Sequence, residues 1–198
     1  MTDLPTNITA VAHQIDAEAR RRRFGHQGGV VWLTGLSGSG KSTIGVALEA
    51  YLFDAGMNAV LLDGDNLRHG LTSDLGFSPA DRRENLRRVG EVAALFAKSG
   101  AIVITALISP YAEDRIRARK AANGQFIEVY VDADMDACKA RDPKGLYAKA
   151  MRGEIPEFTG VSAPYEVPEA PDLSVDTTVL SIDACVQVVA ASVKTRFA

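Results

Sequence analysis

The chain has 198 residues, of which 46% are hydrophobic, 24% charged and 7% aromatic, a composition that predicts one folded domain and excludes a mainly disordered protein. Its 22 Lys and Arg residues against 25 Asp and Glu residues give a net charge of −3 at pH 7, which argues against binding to bulk nucleic acid or to an anionic membrane surface. No apolar stretch approaches the ~20 residues of a transmembrane helix. Cys138 and Cys185 lack the spacing of a metal site or a disulfide framework, so we expect a cytoplasmic protein.

Polar and apolar stretches alternate along the chain. Residues 1–24 are polar and include four consecutive arginines, and we interpret them as an N-terminal arm before a single domain at 25–198. Apolar runs predict strands at residues 30–34, 59–62, 101–106, 126–131 and, more weakly, 173–175. Helical patterns occupy residues 42–53, 79–98, 112–122, 135–141 and 182–194. This alternation is typical of a five-stranded parallel sheet covered by helices on both faces, in a three-layer α/β domain.

One segment interrupts this pattern. Residues 142–171 contain five of the eight prolines, and an irregular stretch of this length inside a compact domain is usually a functional lid or a disordered linker. Tyr147, Phe158 and Tyr165 give the segment side chains that can pack. We therefore expect a lid.

The first strand leads directly into a phosphate-binding motif. Residues 35–42, GLSGSGKS, match G-x-x-x-x-G-K-[ST] at every fixed position, between a strand and a helix. Glycines allow the backbone N–H groups to surround a phosphate, and the helix adds its positive N-terminus. Lys41 would reach the β- and γ-phosphates, and the Ser42 hydroxyl would ligate Mg²⁺. The sequence therefore predicts a P-loop kinase or NTPase fold that binds a nucleoside triphosphate with magnesium.

The remaining motifs favour a small-molecule kinase over a GTPase or a motor ATPase. The guanine-specifying pattern N-K-x-D is absent, and no acidic residue ends the strand at 101–106. Asp63 and Asp65 follow the second strand instead, where strand ends line the cleft of an α/β sheet. One of them could orient Mg²⁺ and the other could accept a proton from the attacking hydroxyl.

Arginines and aromatic residues indicate the kind of acceptor. Arg68 and Arg82 would suit a phosphate or sulfate group, because guanidinium forks bind anionic oxygens. Phe77 and Phe158 lie in loops and together could sandwich a purine, although each ring alone is more typical of a core residue. The residues thus indicate an anionic, nucleotide-like acceptor.

Three further arginines belong to a different class. Arg83, Arg87 and Arg88 follow the same turn, and we interpret them as a solvated helix face that pairs with the acidic residues Asp81, Glu84 and Glu91.

From residue 24 onward the sequence resembles the adenylylsulfate kinase (APS kinase) family. The P-loop is generic, but D-G-D-N-x-R-H-G-L at 63–71 and R-D-P-K-G-L-Y at 141–147 are specific to this resemblance, and F-T-G at 158–160 and P-E-A-P at 168–171 extend it. Members use ATP to phosphorylate the 3′-hydroxyl of adenosine 5′-phosphosulfate, which gives 3′-phosphoadenosine 5′-phosphosulfate in sulfate assimilation. The resemblance also implies a homodimer.

The resemblance implies roles for matching positions. The ATP site would comprise Gly35, Leu36, Ser37, Gly38, Ser39, Gly40, Lys41, Ser42 and Thr43. The adenylylsulfate site would comprise Asp65, Asn66, Arg68, Phe77, Arg82, Asn85, Ile108, Ser109, Lys144 and Phe158. Lys41, Asp63 and Ser109 are the expected catalytic residues, with Asp63 as base or Mg²⁺ organiser. The family assigns Ser109 as a possible phosphoserine; we favour a substrate-contacting hydroxyl, because direct transfer needs no such intermediate.

Two alternatives stay open at this stage. The first is another P-loop kinase that acts on a nucleoside monophosphate or a sugar acid. The second is a catalytically silent nucleotide-binding module that regulates a sulfate-assimilation complex, although intact Lys41, Asp63 and Arg68 argue against it.

Overall fold

A computed structural model of the chain describes residues 7–9 and 11–198. Its strands are β1 (Gly29–Thr34), β2 (Ala59–Asp63), β3 (Ile102–Ala106), β4 (Phe126–Asp132) and β5 (Leu173–Asp176). They form one sheet in the order β2-β3-β1-β4-β5, and every neighbouring pair is parallel. The predicted three-layer α/β fold with five parallel strands is therefore confirmed.

Helices cover both faces of the sheet. They are α1 (Ala17–Phe24), α2 (Lys41–Asp54), α3 (Gly64–Leu67), α4 (Pro79–Lys98), α5 (Ala112–Ala121), α6 (Met135–Arg141), α7 (Leu146–Met151) and α8 (Ile182–Phe197). Val31 and Leu33 of β1 point into the core formed with α2 and α8, and Val30 and Trp32 point into the core formed with α4 and α5. Successive side chains of a strand face opposite sides of the sheet. β1 carries apolar side chains on both of these sides, and it is buried along its whole length.

The predicted N-terminal arm is partly helical. Residues 1–6 and residue 10 of the arm lie outside the described part of the chain. Helix α1 begins after Asp16, whose carboxylate accepts the N–H of Ala19 at 2.7 Å. The helix contacts the domain where Arg20 Nη1 donates to Ser99 O at 3.2 Å. Among the described residues, no helix has the length and apolarity needed to cross a bilayer.

β2 is an edge strand, and its outer backbone is partly covered. Residues 59–62 are half-buried, in contrast to the fully buried strands β1 and β3. The carboxylate of Glu49 on α2 accepts the N–H of Leu61 at 2.7 Å. This contact satisfies a group that would otherwise offer itself to another strand.

The segment 142–171 lies against the carboxyl-terminal edge of the sheet. Tyr147 Oη donates to Ser37 O of the P-loop at 2.9 Å, and Tyr165 Oη lies 3.0 Å from Thr34 Oγ1 at the end of β1. Thr159 Oγ1 accepts from Arg82 on α4 at 2.8 Å. The segment, called the lid segment below, therefore contacts the P-loop, β1 and α4.

Candidate active site

The P-loop is folded around the side chain of Lys41. Gly38 and Gly40 adopt left-handed φ values of +79° and +101°, and a Cβ on Gly38 would lie 2.9 Å from Cys138 O, so only glycine fits there. Lys41 Nζ donates to Gly35 O at 2.9 Å and to Leu36 O at 2.6 Å. Burial lowers the pKa of this ammonium from 10.5 to about 8. The ammonium is therefore charged at neutral pH and held inside the loop by two carbonyls.

Arg141 and Thr177 brace the P-loop from outside, and neither was assigned a role from the sequence. Arg141 Nη2 donates to Thr177 O at 2.8 Å and Nη1 donates to Thr177 Oγ1 at 2.9 Å. Thr177 Oγ1 in turn donates to Ser39 O at 2.9 Å. The R-D-P-K-G-L-Y motif contains Arg141, but nothing in the sequence pairs it with a threonine 36 positions later.

Ser42 at the start of α2 and Asp63 at the end of β2 bring two oxygen-bearing side chains together. Ser42 Oγ donates to Asp63 Oδ2 at 2.6 Å, and Asp63 Oδ1 accepts the N–H of Asp65 at 3.0 Å. Hydroxyl and carboxylate oxygens suit Mg²⁺, which in phosphate sites takes few protein ligands and several phosphate oxygens. Across residues 7–9 and 11–198 no cluster of three His, Cys, Asp or Glu side chains could hold a metal alone. The donor set therefore fits a cation that is shared with a nucleotide.

α3 connects this pair to the lid. Asp65 on α3 forms an ion pair with Lys144 of the lid, and Asn66 is exposed beside it. The two charged side chains are 64% and 57% exposed, so their pairing contributes little to stability. They remain available to a bound ligand.

Arg68 and Arg82 hold the loops that carry the two phenylalanines. Arg68 Nη1 donates to Gly76 O at 3.0 Å, and its guanidinium lies 4.2 Å from the centre of the Phe77 ring. Arg82 Nε donates to Phe77 O, and Arg82 Nη2 donates to Glu157 O, both at 2.8 Å. Arg82 therefore joins the loop of Phe77 to the loop of Phe158.

The two aromatic rings have different surroundings. Phe77 is 64% exposed, whereas Phe158 is 7% exposed and meets Tyr147 edge-to-face, with 5.0 Å between ring centres. An exposed ring has surface to offer to a ligand, and a buried ring anchors the lid segment. Phe158 thus has a packing role in addition to any role in binding.

Ser109, Ile108 and Asn85 lie behind this region, close to the sheet. Ser109 is buried and has a φ of +41°, and its Oγ accepts the indole N–H of Trp32 at 3.0 Å. Ile108 O accepts from Thr34 Oγ1 at 2.8 Å. Asn85 is also buried, and its Oδ1 has no hydrogen-bond partner in the described part of the chain. A buried acceptor of this kind suits a donor group supplied by a ligand.

The arginines interpreted as a solvated helix face form ion pairs or stack with neighbouring side chains. Glu84 accepts from Arg87 Nε at 2.7 Å and from Arg88 Nε at 2.9 Å, and Arg88 also pairs with Asp74 at 2.7 Å. Arg83 stacks over the Tyr111 ring, 5.8 Å from its centre. Of the predicted partners, Glu84 forms these ion pairs, whereas Asp81 and Glu91 form none in the described residues, and Asp74 is a partner that was not predicted.

We expect Glu84→Gln to lower the Tm at neutral pH and this loss to shrink on acidification. Hydrogen bonds from Arg87 and Arg88 lower the pKa of Glu84 from its usual 4.5 to about 2. A carboxyl whose pKa is lowered by folding stabilises the folded state above its unfolded pKa, and this contribution is lost as the pH falls. Thermal melts should therefore show a difference from wild type that decreases between pH 4.5 and 2. Glu113→Gln, at a side chain that is 81% exposed, is the control, and a pH-independent loss in Glu84→Gln would contradict the prediction.

Known proteins resemble this chain in sequence and in structure. The sequence profile of the family described as adenylylsulphate kinase matches residues 27–176. The chain is 52% identical over 188 residues to the adenylyl-sulfate kinase of Prochlorococcus marinus, which covers 94% of each chain. It is 51% identical to the Mycobacterium tuberculosis APS kinase solved with AMPPNP and APS, with a TM-score of 0.82 over 85% of this chain and 98% of that one. A hexameric APS kinase from Thiobacillus denitrificans is 36% identical, with a TM-score of 0.67 over 90% of this chain and 31% of that one. The chain belongs to the adenylylsulphate kinase family.

Proposed function

We propose that this chain transfers the γ-phosphoryl group of MgATP to the 3′-hydroxyl of adenosine 5′-phosphosulfate, with the residues described above in the roles that follow. The observation that carries the proposal is the arrangement at one edge of the sheet. There a P-loop with Lys41 and Ser42 adjoins a region with Arg68, Arg82 and an exposed Phe77, and the lid reaches both.

ATP would bind in the P-loop, at residues 35–43. Lys41 Nζ already lies in the loop against two carbonyls, and phosphate oxygens would be stronger partners for the ammonium than neutral carbonyls are. Ser42 would hold Mg²⁺ together with the phosphates, and Asp63 would orient the ion or its water ligands. When bound, the ion would neutralise charge on the β- and γ-phosphoryl oxygens.

Both oxygens of Asp63 already accept hydrogen bonds, from Ser42 Oγ and from the N–H of Asp65. This pattern supports Asp63 as the organiser of the magnesium site rather than as the base. In a loose transition state for phosphoryl transfer, positioning and charge stabilisation contribute most of the catalysis. Lys41 provides charge stabilisation, and the acceptor loops provide positioning.

Ser109 would contact the acceptor through its hydroxyl. The indole of Trp32 donates to Ser109 Oγ, so the Ser109 proton is free to be donated to a substrate oxygen. In the described residues no side chain that could act as a base lies within hydrogen-bond distance of this oxygen. These contacts favour direct in-line transfer over a phosphoserine intermediate.

The expected homodimer and the expected cytoplasmic location belong to the same proposal. The resemblance supports the dimer, and apolar side chains such as Val46 and Phe53, 58% and 71% exposed on α2, offer surface for contact between subunits. Cys138 and Cys185 are both free and buried, which suits a reducing compartment. Sedimentation velocity at several protein concentrations measures the assembly directly.

The experiment that tests the function is ADP release from MgATP with adenylylsulfate, with AMP and without an acceptor. We expect turnover that depends on adenylylsulfate and is low with AMP. Equal turnover with AMP would favour the nucleoside monophosphate kinase, and tight nucleotide binding without acceptor-dependent turnover would favour the regulatory module.

A further inference from the structure

Arg115 is a buried arginine that is not among the proposed ATP or adenylylsulfate contacts. It lies on α5, and its side chain is 3% exposed. Each of its three nitrogens donates at 2.8 Å: Nε to Glu128 Oε1, Nη1 to Ser109 O and Nη2 to Glu166 O. A buried charge is tolerated only when it is paired and hydrogen-bonded. This guanidinium is therefore held rigidly, and two of its contacts are to backbone carbonyls far apart in the sequence.

The first carbonyl belongs to Ser109, whose backbone is strained. A non-glycine residue with a φ of +41° persists only where the surroundings hold it in place. The Trp32 indole holds the side chain, and Arg115 Nη1 donates to the carbonyl at 2.8 Å. Thr34 Oγ1 lies 3.4 Å from the same carbonyl, but its proton is directed to Ile108 O at 2.8 Å. Arg115 makes the shorter of the two backbone contacts, so it is the principal restraint on the direction of the Ser109 peptide.

The second carbonyl belongs to the end of the lid nearest the sheet. Glu166 N donates to Pro110 O at 2.8 Å, and the Glu166 carboxylate accepts the N–H of Ala112 at 2.7 Å, at the start of α5. The neighbouring Tyr165 reaches Thr34. This part of the lid, residues 165–166, is thus bound to the same β3–α5 loop (residues 107–111) that carries Ser109. Arg115 lies between them and contacts both.

Glu128 fixes Arg115 from the sheet side. It lies on β4, its side chain is 12% exposed, and its second carboxylate oxygen accepts from Arg119 at 3.4 Å. Arg119 also pairs at 2.6 Å with Asp172, which directly follows the lid, and Asp172 accepts the N–H of Glu128 at 2.8 Å. These contacts therefore fix the guanidinium of Arg115 relative to the sheet.

We propose that Arg115 is a positioning residue that holds the Ser109 loop and residues 165–166 of the lid in one arrangement. The same arrangement would bind the acceptor and exclude water from the site. The inference rests on the proposed function. The ATP side is held by separate contacts, those of Lys41 and of Arg141 with Thr177. Loss of the Arg115 fork should therefore act on the acceptor and on closure, and should leave ATP binding unchanged.

The test is Arg115→Lys, which keeps the charge but cannot make three directed contacts. We expect kcat/KM for adenylylsulfate to fall about 10²-fold, because small displacements of a reacting group have effects of this size. The KM for ATP should stay within about twofold of wild type, because the P-loop contacts are intact. ADP release without acceptor should rise several-fold relative to coupled turnover, because an imperfectly held lid admits water. Arg117→Lys, on the same helix but 42% exposed and paired only with Glu113 and Asp114 in the described residues, is the matched control and should behave as wild type.

Glu128→Gln is the second variant. It keeps the test available if Arg115→Lys does not fold. The Gln side chain retains an oxygen that can accept from Arg115 Nε, so we expect a smaller fall in kcat/KM for adenylylsulfate and a smaller rise in uncoupled ADP release. Folded variants whose Tm falls while both KM values and the ratio of uncoupled to coupled ADP release stay at wild-type values would overturn the proposal and leave Arg115 a purely structural residue. A wild-type protein without acceptor-dependent turnover would instead refute the proposed function.

Discussion

Lys41→Ala is expected to reduce acceptor-dependent ADP release by roughly 10²- to 10³-fold, the effect of removing one preorganised charge or hydrogen bond from a developing anion. The folded state should survive, because among the described residues Lys41 Nζ hydrogen-bonds only to carbonyls and a hydroxyl of its own loop. Burial lowers the pKa of this ammonium to about 8, because desolvation disfavours the charged form. Removing the ammonium also removes this cost of desolvation, so we expect the Tm without nucleotide to change little.

The matched control is Lys139→Ala. Lys139 lies on α6 and pairs at 3.8 Å with Asp136, which is 96% exposed, so this variant should keep wild-type activity. The measurement is coupled ADP release with MgATP and adenylylsulfate, together with the thermal shift caused by nucleotide. Near-normal turnover in a folded Lys41→Ala variant would contradict the assignment of the P-loop as the ATP site.

Asp63→Asn is expected to raise the Mg²⁺ concentration that gives half-maximal activity and to lower kcat by about 10- to 100-fold, the usual effect of changing a group that orients a metal ligand. The amide can still accept from Ser42, but it lacks the charge that the cation requires. Asp54→Asn, at an exposed carboxylate at the end of α2, should leave the magnesium titration unchanged.

A different result would identify Asp63 as the proton acceptor. In that case kcat would fall with no change in the magnesium midpoint. The hydrogen bonds that both Asp63 oxygens already accept favour the first result.

The strands and the long helices were predictable because their apolar periodicity is strong. The helix predicted at 79–98 coincides with α4, which begins with Pro79 after a Ser78 cap. The strand order was not predictable, because β2 and β3 have similar apolar sequences. Such a sequence does not distinguish an edge strand from a central one. Only the structure reveals that β2 is an edge strand and that four of its five residues are half-buried.

Helix α7 inside the lid was missed because it has six residues and lies in a proline-rich segment. Its signal was present in the D-P-K-G sequence. Gly145 has a left-handed φ of +63°, and the Asp142 carboxylate accepts the N–H groups of Leu146 and Tyr147 at 2.8 and 3.0 Å. An aspartate placed to satisfy the first free N–H groups of a helix is a recognisable start signal.

The candidate site shows the same division between local and distant information. The P-loop and the D-G-D turn are contiguous motifs, so the sequence located them and the structure brings Ser42 and Asp63 together. Arg115 has no motif around it, and its partner Glu166 lies 51 positions away. Contacts of this kind depend on how the lid returns to the sheet, which no local pattern encodes.

The chain contains a single tryptophan, and the indole N–H of this residue, Trp32, donates to Ser109 Oγ in a fully buried position. The tryptophan fluorescence of the protein therefore originates at one place, directly behind the proposed acceptor site. Tyrosine emission aside, a spectral change on adding a ligand reports on that hydrogen bond and its surroundings, without any dye or engineered label. The wild-type chain is thus its own optical probe of acceptor binding, independent of turnover.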